Sequence, residues 1–254
     1  LGCMVVDIPC GPETRFQPTI PMIEGLGLDG LIVASPANPT GTMLSGPELA
    51  GIATWCAGRE VRLVSDEIYH GITYVTEGAT TGRPESAWST DRSGIVVNSF
   101  SKYYCMTGWR VGWLVVPERL VRTIERLQQN LSISVPMLSQ VAGEAAFDAT
   151  AECEAIKDGY AANRAYLLKA LPEIGLGDFL PVDGAFYIYL DIGKYSNDSM
   201  SFCRDALEQA GVAITPGLDF DEGRGARTVR LSFAGSLAEC EDAVARLGRW
   251  LKTR

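Results

Sequence analysis

Short apolar runs alternate along this chain with stretches whose apolar residues recur every three or four positions. That is the pattern of buried strands joined by amphipathic helices. Cys3 to Ile8 reads as a first buried strand, bounded by Pro9 and Gly11, and Pro18 to Gly27 as a short helix showing Met22, Ile23 and Leu26 on one face. Leu31 to Ala34 follows an Asp29-Gly30 turn as a second strand and runs into SPANPTGT. Ser45-Gly-Pro-Glu48 has the spacing of a capping box with proline in the first turn, and Leu49, Ile52, Ala53 and Cys56 continue it as a buried stripe. Val61 to Val64, Ile95 to Asn98 and Arg110 to Val116 predict further strands, the last stopped by Pro117. Residues 76–94 are polar and rich in Gly and Pro, which predicts a surface loop, with Trp88 the exception.

The second half is more helical. Glu118 to Leu131 carries Leu120, Val121, Ile124, Leu127 and Leu131 at helical spacing, and Pro136 to Ala149 reads as helix too. A long helical pattern follows through Ile156, Tyr160, Leu167, Leu168 and Leu171 to Pro172. Beyond it, Gly184 to Asp191, Val212 to Thr215 and Thr228 to Phe233 predict strands. Ser199 to Ala210 predicts a helix stopped by Gly211, and Ser236-Leu-Ala-Glu239 again has capping-box spacing ahead of a last helix bearing Leu237, Cys240, Val244, Leu247 and Leu251. Strands alternating with helices imply crossover units and an α/β fold with a mostly parallel sheet and helices on both faces. The expected division is a large domain over residues 1–155 and a smaller α+β domain over 156–254, with the boundary inside the long helix. In parallel sheets ligands gather outside the carboxyl ends of the strands, and Asn38, Asp66, Ser99 and Lys102 all follow predicted strands.

Composition narrows the function classes. With 254 residues, 46% of them hydrophobic, the chain can bury a large core in one or two domains. A net charge of -9 argues against nonspecific nucleic-acid binding and against a polybasic membrane patch. Seven cysteines are scattered without a C-x-x-C, apart from the single histidine, His70, so no structural zinc site is expected and a reducing cytoplasm is. No apolar run has membrane-spanning length, and the first residues lack the basic and apolar regions of a signal peptide. The chain opens without Met inside a predicted strand, so it reads as a fragment, a processed chain, or one whose beginning lies outside these residues.

Candidate chemistry centres on SFSKYYCMTGWRVGW, Ser99 to Trp113. Lys102 lies just past a predicted strand and is a candidate for an imine with an aldehyde cofactor. Ser99, Ser101 and Arg110 would suit a phosphate on that cofactor, since Arg offers a planar fork of donors and serines add short ones. Upstream stand Asn38 in NPTG and Asp66 and Tyr69 in SDEIYHGITY; downstream stands Arg230 in TVRLSFAG. Each residue also has a plainer reading. Lys102 could be a solvated strand end, Asp66 a helix N-cap, Asn38 a turn former, Tyr69 a half-buried aromatic, and Arg230 an edge-strand arginine. Glu67 and His70 read as structural.

Taken in order and spacing, these segments resemble fold-type I, pyridoxal-phosphate-dependent aminotransferases of class I/II over nearly the whole chain. The resemblance implies pyridoxal 5'-phosphate as cofactor, with Lys102 as the imine lysine and proton carrier. It implies Asp66 at the ring nitrogen, Tyr69 and Asn38 at the ring oxygen, and Ser99, Arg110 and more weakly Ser101 at the phosphate. Arg230, with Asn38, would hold the carboxylate of an amino acid or 2-oxo acid substrate, and Phe186 in GAFY would pack nearby. It also implies a cytoplasmic homodimer. The family's N-terminal arm, its glycine-rich phosphate turn and its ring-stacking aromatic are not found in this sequence, so the large domain reads as incomplete. Transfer of an amino group between an L-amino acid and a 2-oxo acid is the first reading. A lyase of the same fold, such as a carbon–sulfur lyase, shares the cofactor residues. A cofactor-sensing regulatory domain and an inactive relative remain as further alternatives.

Overall fold

The computed structural model describes residues 2–74 and 84–254. It divides into two compact units, Leu1–Pro36 with Thr42–Thr150 and Ala37–Gly41 with Ala151–Arg254. The division in sequence thus falls at the start of the long helix, and the short segment containing Asn38 groups with the second unit.

The first unit is built on a four-stranded sheet in the order β1-β2-β3-β4, with β1 (Gly30–Ala34), β2 (Arg62–Asp66), β3 (Ile95–Ser99) and β4 (Gly112–Val115). The first three strands are parallel, with Leu31 beside Leu63 and Ser65 beside Val96; β4 runs antiparallel to β3, with Gly112 beside Ser99. The short α1 (Ile20–Ile23) precedes β1, and α2 (Gly46–Gly58) links β1 to β2. Ser45 caps α2 as its spacing predicted: its hydroxyl accepts from the Glu48 N–H and the Glu48 carboxylate accepts from the Ser45 N–H at 2.7 Å. Side chains alternate across a strand, so Leu31, Val33 and Leu63 enter one core with Leu49, Ile52, Ala53 and Cys56 of α2, while Ile32 between them is 76% exposed. Each such buried aliphatic side chain contributes about 1.5–3 kcal/mol.

The turn into β4 is tight. Cys105 and Arg110 both adopt left-handed backbone angles, and a short 3-10 turn spans Thr107–Trp109. Gly112 is required there, because a Cβ would stand 2.6 Å from the Asn98 carbonyl oxygen. After β4 come α3 (Glu118–Leu131) and α4 (Met137–Ala146).

The second unit carries a three-stranded antiparallel sheet in the order β5-β7-β6, from β5 (Tyr187–Asp191), β6 (Thr215–Pro216) and β7 (Thr228–Ser232). With it pack α5 (Thr150–Glu173), α6 (Ser199–Asp205), which continues through a π turn to Ala210, and α7 (Leu237–Leu251), capped by Ser236 and Glu239. Asn163 on α5 donates to the Phe233 and Gly235 carbonyls at 3.0 and 2.8 Å and so anchors the end of β7. Gly211 closes α6 at φ 69°, the left-handed cap that glycine favours.

The α/β class, the mostly parallel sheet and the smaller α+β part are as the pattern predicted. Three local expectations need correction. Cys3 to Ile8 is not a strand: Met4 and Val5 are exposed, and no described strand pairs with the segment, without which its backbone groups gain no ladder. The strand expected from Arg110 begins at Gly112, because the left-handed backbone of Arg110 belongs to the turn. Val212 to Thr215 shrinks to the two residues of β6, since the Val212 N–H instead closes the end of α6 on the Ala206 carbonyl. Of the loop expected over 76–94, residues 76–83 lie outside the described residues; Ala87 in the remainder is buried.

Candidate active site

The carboxyl ends of β2 and β3 bring most of the expected residues together. Asp66 is the last residue of β2 and Ser99 the last of β3. The Ile68 N–H donates to Asp66 Oδ1 at 3.1 Å, which turns the chain so that Tyr69 is buried. Lys102 Nζ lies 5.5 Å from the centre of the Tyr69 ring, within cation–π range. Ser99 Oγ accepts from the Ser101 N–H at 3.0 Å, and Thr107 Oγ1 donates to the Ser101 carbonyl at 2.7 Å. Arg110 Nη1 donates to the Thr107 carbonyl at 2.9 Å. A chain of hydrogen bonds therefore ties Ser99, Ser101 and Arg110 into one turn and fixes the exposed guanidinium beside it. Phe100 anchors this turn from below, its ring 4.9 Å from that of Trp113 and 5.1 Å from that of Phe147.

Behind Asp66, on the opposite side of the strand, the carboxylate of Glu67 is buried. Its Oε1 accepts from Ser65 Oγ at 3.0 Å and from the Ala87 N–H at 2.9 Å, and Oε2 lies 3.3 Å from His70 Nδ1. Burial pushes the His70 pKa down, and Glu67, the Ser35 backbone and Asp66 pull it the other way.

The second unit holds the other two candidates, in contact with each other. Arg230 is the central residue of the three-stranded sheet, paired with Tyr189 on one side and Thr215 on the other. Its Nη1 donates to Asn38 Oδ1 at 2.8 Å and its Nη2 to Thr215 Oγ1 at 3.2 Å. The guanidinium carbon lies 4.4 Å from the Tyr187 ring centre and 4.8 Å from that of Phe220. Its Nε is buried with no hydrogen-bond partner among the described residues. Phe186 packs edge-on against Tyr160 and Tyr187, with ring centres 5.5 and 4.8 Å apart.

Sequence reasoning missed Thr215, Tyr187 and Phe220 around Arg230, and it read Glu67 without seeing its burial. The strand register places Thr215 opposite Arg230, and the folding of β5 and of the turn after β6 brings the Tyr187 and Phe220 rings to its guanidinium. The signal nearest to them was GAFY, in which the adjacent Phe186 stood out.

The donor set suits a phosphorylated pyridine aldehyde. The first unit supplies an amine, a carboxylate, a phenol, two serine hydroxyls and a guanidinium with donors beyond the one used internally. The orphaned Nε and the neutral partners of Arg230 leave a cation that an anion can neutralise.

Comparison with known proteins gives a consistent result. The family model described as aminotransferase class I and II matches residues 1–247. A valine–pyruvate aminotransferase from Mycobacterium tuberculosis is 51% identical over 100% of this chain and 66% of its own length. A probable N-acetyl-LL-diaminopimelate aminotransferase from Bacillus subtilis is 35% identical over 85% of this chain and 54% of its own length. The crystal structure of an aminotransferase from Mycobacterium tuberculosis superposes with a TM-score of 0.94 at 51% identity, covering 100% of this chain and 66% of that one. The chain thus spans somewhat less than two thirds of these relatives.

Proposed function

The chain belongs to the class I and II aminotransferase family, and from that premise we propose that the protein transfers an amino group between an L-amino acid and a 2-oxo acid. Relatives in this family depend on pyridoxal 5'-phosphate. Bound here, that cofactor would supply a conjugated ring able to take up the electron pair of a substrate Cα–H bond.

The residues divide the work. Lys102 Nζ would hold the cofactor at its aldehyde group and would carry a proton to and from the substrate α carbon. Asp66 would keep a proton on the ring nitrogen, because a carboxylate favours the charged form of a nearby base. Tyr69 donates to the ring oxygen. Ser99, Ser101 and Arg110 bind the phosphate. Asn38 spends its carbonyl oxygen on Arg230, which leaves its amide N–H groups as donors beside the guanidinium. Arg230 binds the substrate carboxylate and so fixes the α carbon.

The observation that carries this reading is the gathering of Asp66, Tyr69, Ser99, Ser101, Lys102 and Arg110 at the carboxyl edge of one sheet. Valine and pyruvate are the first substrates to test, since a relative 51% identical bears that name. The proposal extends to a cytoplasmic homodimer; the family commonly dimerises, and the seven cysteines form no disulfide.

The test adds pyridoxal phosphate to purified protein, reduces with borohydride and maps the adduct, then assays alanine formation from valine and pyruvate. Label on Lys102 with alanine formed supports the reading. Label with pyruvate and ammonia released from cysteine, without an oxo acid, would replace transfer by carbon–sulfur lysis. No label on folded protein overturns the cofactor assignment.

A further inference from the structure

Arg230 is an unusual cation in this molecule. It is half-buried on the middle strand, its guanidinium hydrogen bonds go to a neutral amide and a neutral hydroxyl, and its Nε is buried without a partner among the described residues. Left to itself, such a side chain would swing toward water, because long side chains keep their charged heads solvated where they can. Three groups prevent this. Tyr187 and Phe220 lie against the guanidinium, at 4.4 and 4.8 Å, and restrict it to one plane. Thr215 Oγ1, opposite Arg230 in the strand register, sets its rotation within that plane through Nη2. Phe220 is itself held: its N–H donates to the Gly217 carbonyl at 2.9 Å, and the loop is pinned where Gly217 meets Gly225. A Cβ on Gly225 would stand 2.5 Å from the Gly217 carbonyl carbon, so the two backbones touch only because both residues lack side chains.

We propose that Thr215 and Phe220 are positioning residues that hold the Arg230 fork in the orientation in which it receives a carboxylate, and so set the affinity for both amino acid and oxo acid. The inference rests on the reading of Arg230 as the carboxylate site. With one hydrogen of Nη1 committed to Asn38 and one of Nη2 to Thr215, each nitrogen retains one hydrogen, and the pair forms a two-pronged donor. Removing the Thr215 acceptor lets the planar guanidinium pivot as a unit without changing the fork's charge. Removing the Phe220 ring lets the whole guanidinium tilt. Both changes weaken binding in ground and transition states alike, which raises KM and spares kcat.

The test compares Thr215→Val, Thr215→Ser, Phe220→Leu and Arg230→Lys in the holoenzyme. For each, valine–pyruvate kinetics are measured, the visible cofactor spectrum is recorded, and pyruvate binding is followed by calorimetry. T215V and F220L should raise KM and weaken pyruvate binding by about threefold to tenfold, with kcat and the spectrum unchanged. T215S should restore both values, because it returns the hydroxyl. R230K should weaken binding more than either. If R230K weakens binding and T215V does not, positioning by Thr215 is wrong while the carboxylate reading stands. If T215V lowers kcat and alters the spectrum together with KM, its role is structural and the proposal falls. If R230K leaves pyruvate binding unchanged, the carboxylate reading fails and takes this inference with it.

Discussion

A carboxyl group taken almost wholly out of water needs hydrogen-bond partners, and Glu67, 2% exposed, has Ser65, the Ala87 N–H and His70 around it. The neighbouring imidazole bears the consequence. Burial lowers the His70 pKa below its ordinary 6.5, so the fold favours the neutral ring. Below pH 6.5 the unfolded chain binds a proton that the folded chain refuses, so stability falls with falling pH until the folded-state value is passed. In His70→Gln, whose amide N–H can still donate to Glu67, this loss disappears. Urea midpoints measured at pH 7.5 and 5.5 should differ less in H70Q than in wild type; an equal difference would show that His70 does not titrate with folding. Residues of this kind are hard to read from sequence. Asp66, Tyr69 and Lys102 stand out as candidates because each lies in a segment of distinctive composition beside a strand end, and Arg230 because it lies in TVRLSFAG, inside a strand. Glu67 stands beside Asp66 yet points through the other face of the strand. Its burial depends on Ser65 two residues back and on Ala87 twenty residues on, a meeting that no local pattern announces.

At the scale of elements, caps were the most legible feature. Ser45 with Glu48 and Ser236 with Glu239 both form the reciprocal bonds their spacing implies, because the capping box is satisfied within four residues and needs no tertiary partner. Ser45→Ala should therefore lower stability by about 1 kcal/mol, read as a shift in the urea midpoint at constant m value. An unchanged midpoint would mean that water caps the helix equally well. Strands were less legible, since a strand exists only through its neighbour. Ile95 to Asn98 and Thr228 to Phe233 found partners and formed, whereas Cys3 to Ile8, equally apolar, has none among the described residues. The amphipathic stripe of α3 was also legible, but not its surroundings: Leu127 is exposed and Leu131 is 83% exposed. Periodicity reports which face is apolar, not what covers it.

At the scale of the whole molecule, the candidate chemistry is distributed between the two compact units. Asp66, Tyr69, Ser99, Ser101, Lys102 and Arg110 belong to the first, and Asn38 and Arg230 to the second. On the proposed function this is a division between cofactor chemistry and substrate capture, and kinetics can resolve it. Asp66→Asn keeps the shape of the side chain and removes the charge proposed to hold the ring nitrogen's proton. It should lower kcat by about 100-fold or more and shift the visible cofactor band, with KM changed little, because stabilisation that grows with charge in the transition state appears in kcat. Arg230→Lys keeps the charge but loses the fork. It should raise KM for valine and for pyruvate by about tenfold or more while leaving the band in place. The double variant should show both losses multiplied, since groups that share no partner act additively in free energy. Losses in the double variant well below that product would mean that the two units act on one step as a single device, and the proposed division of labour would have to be abandoned.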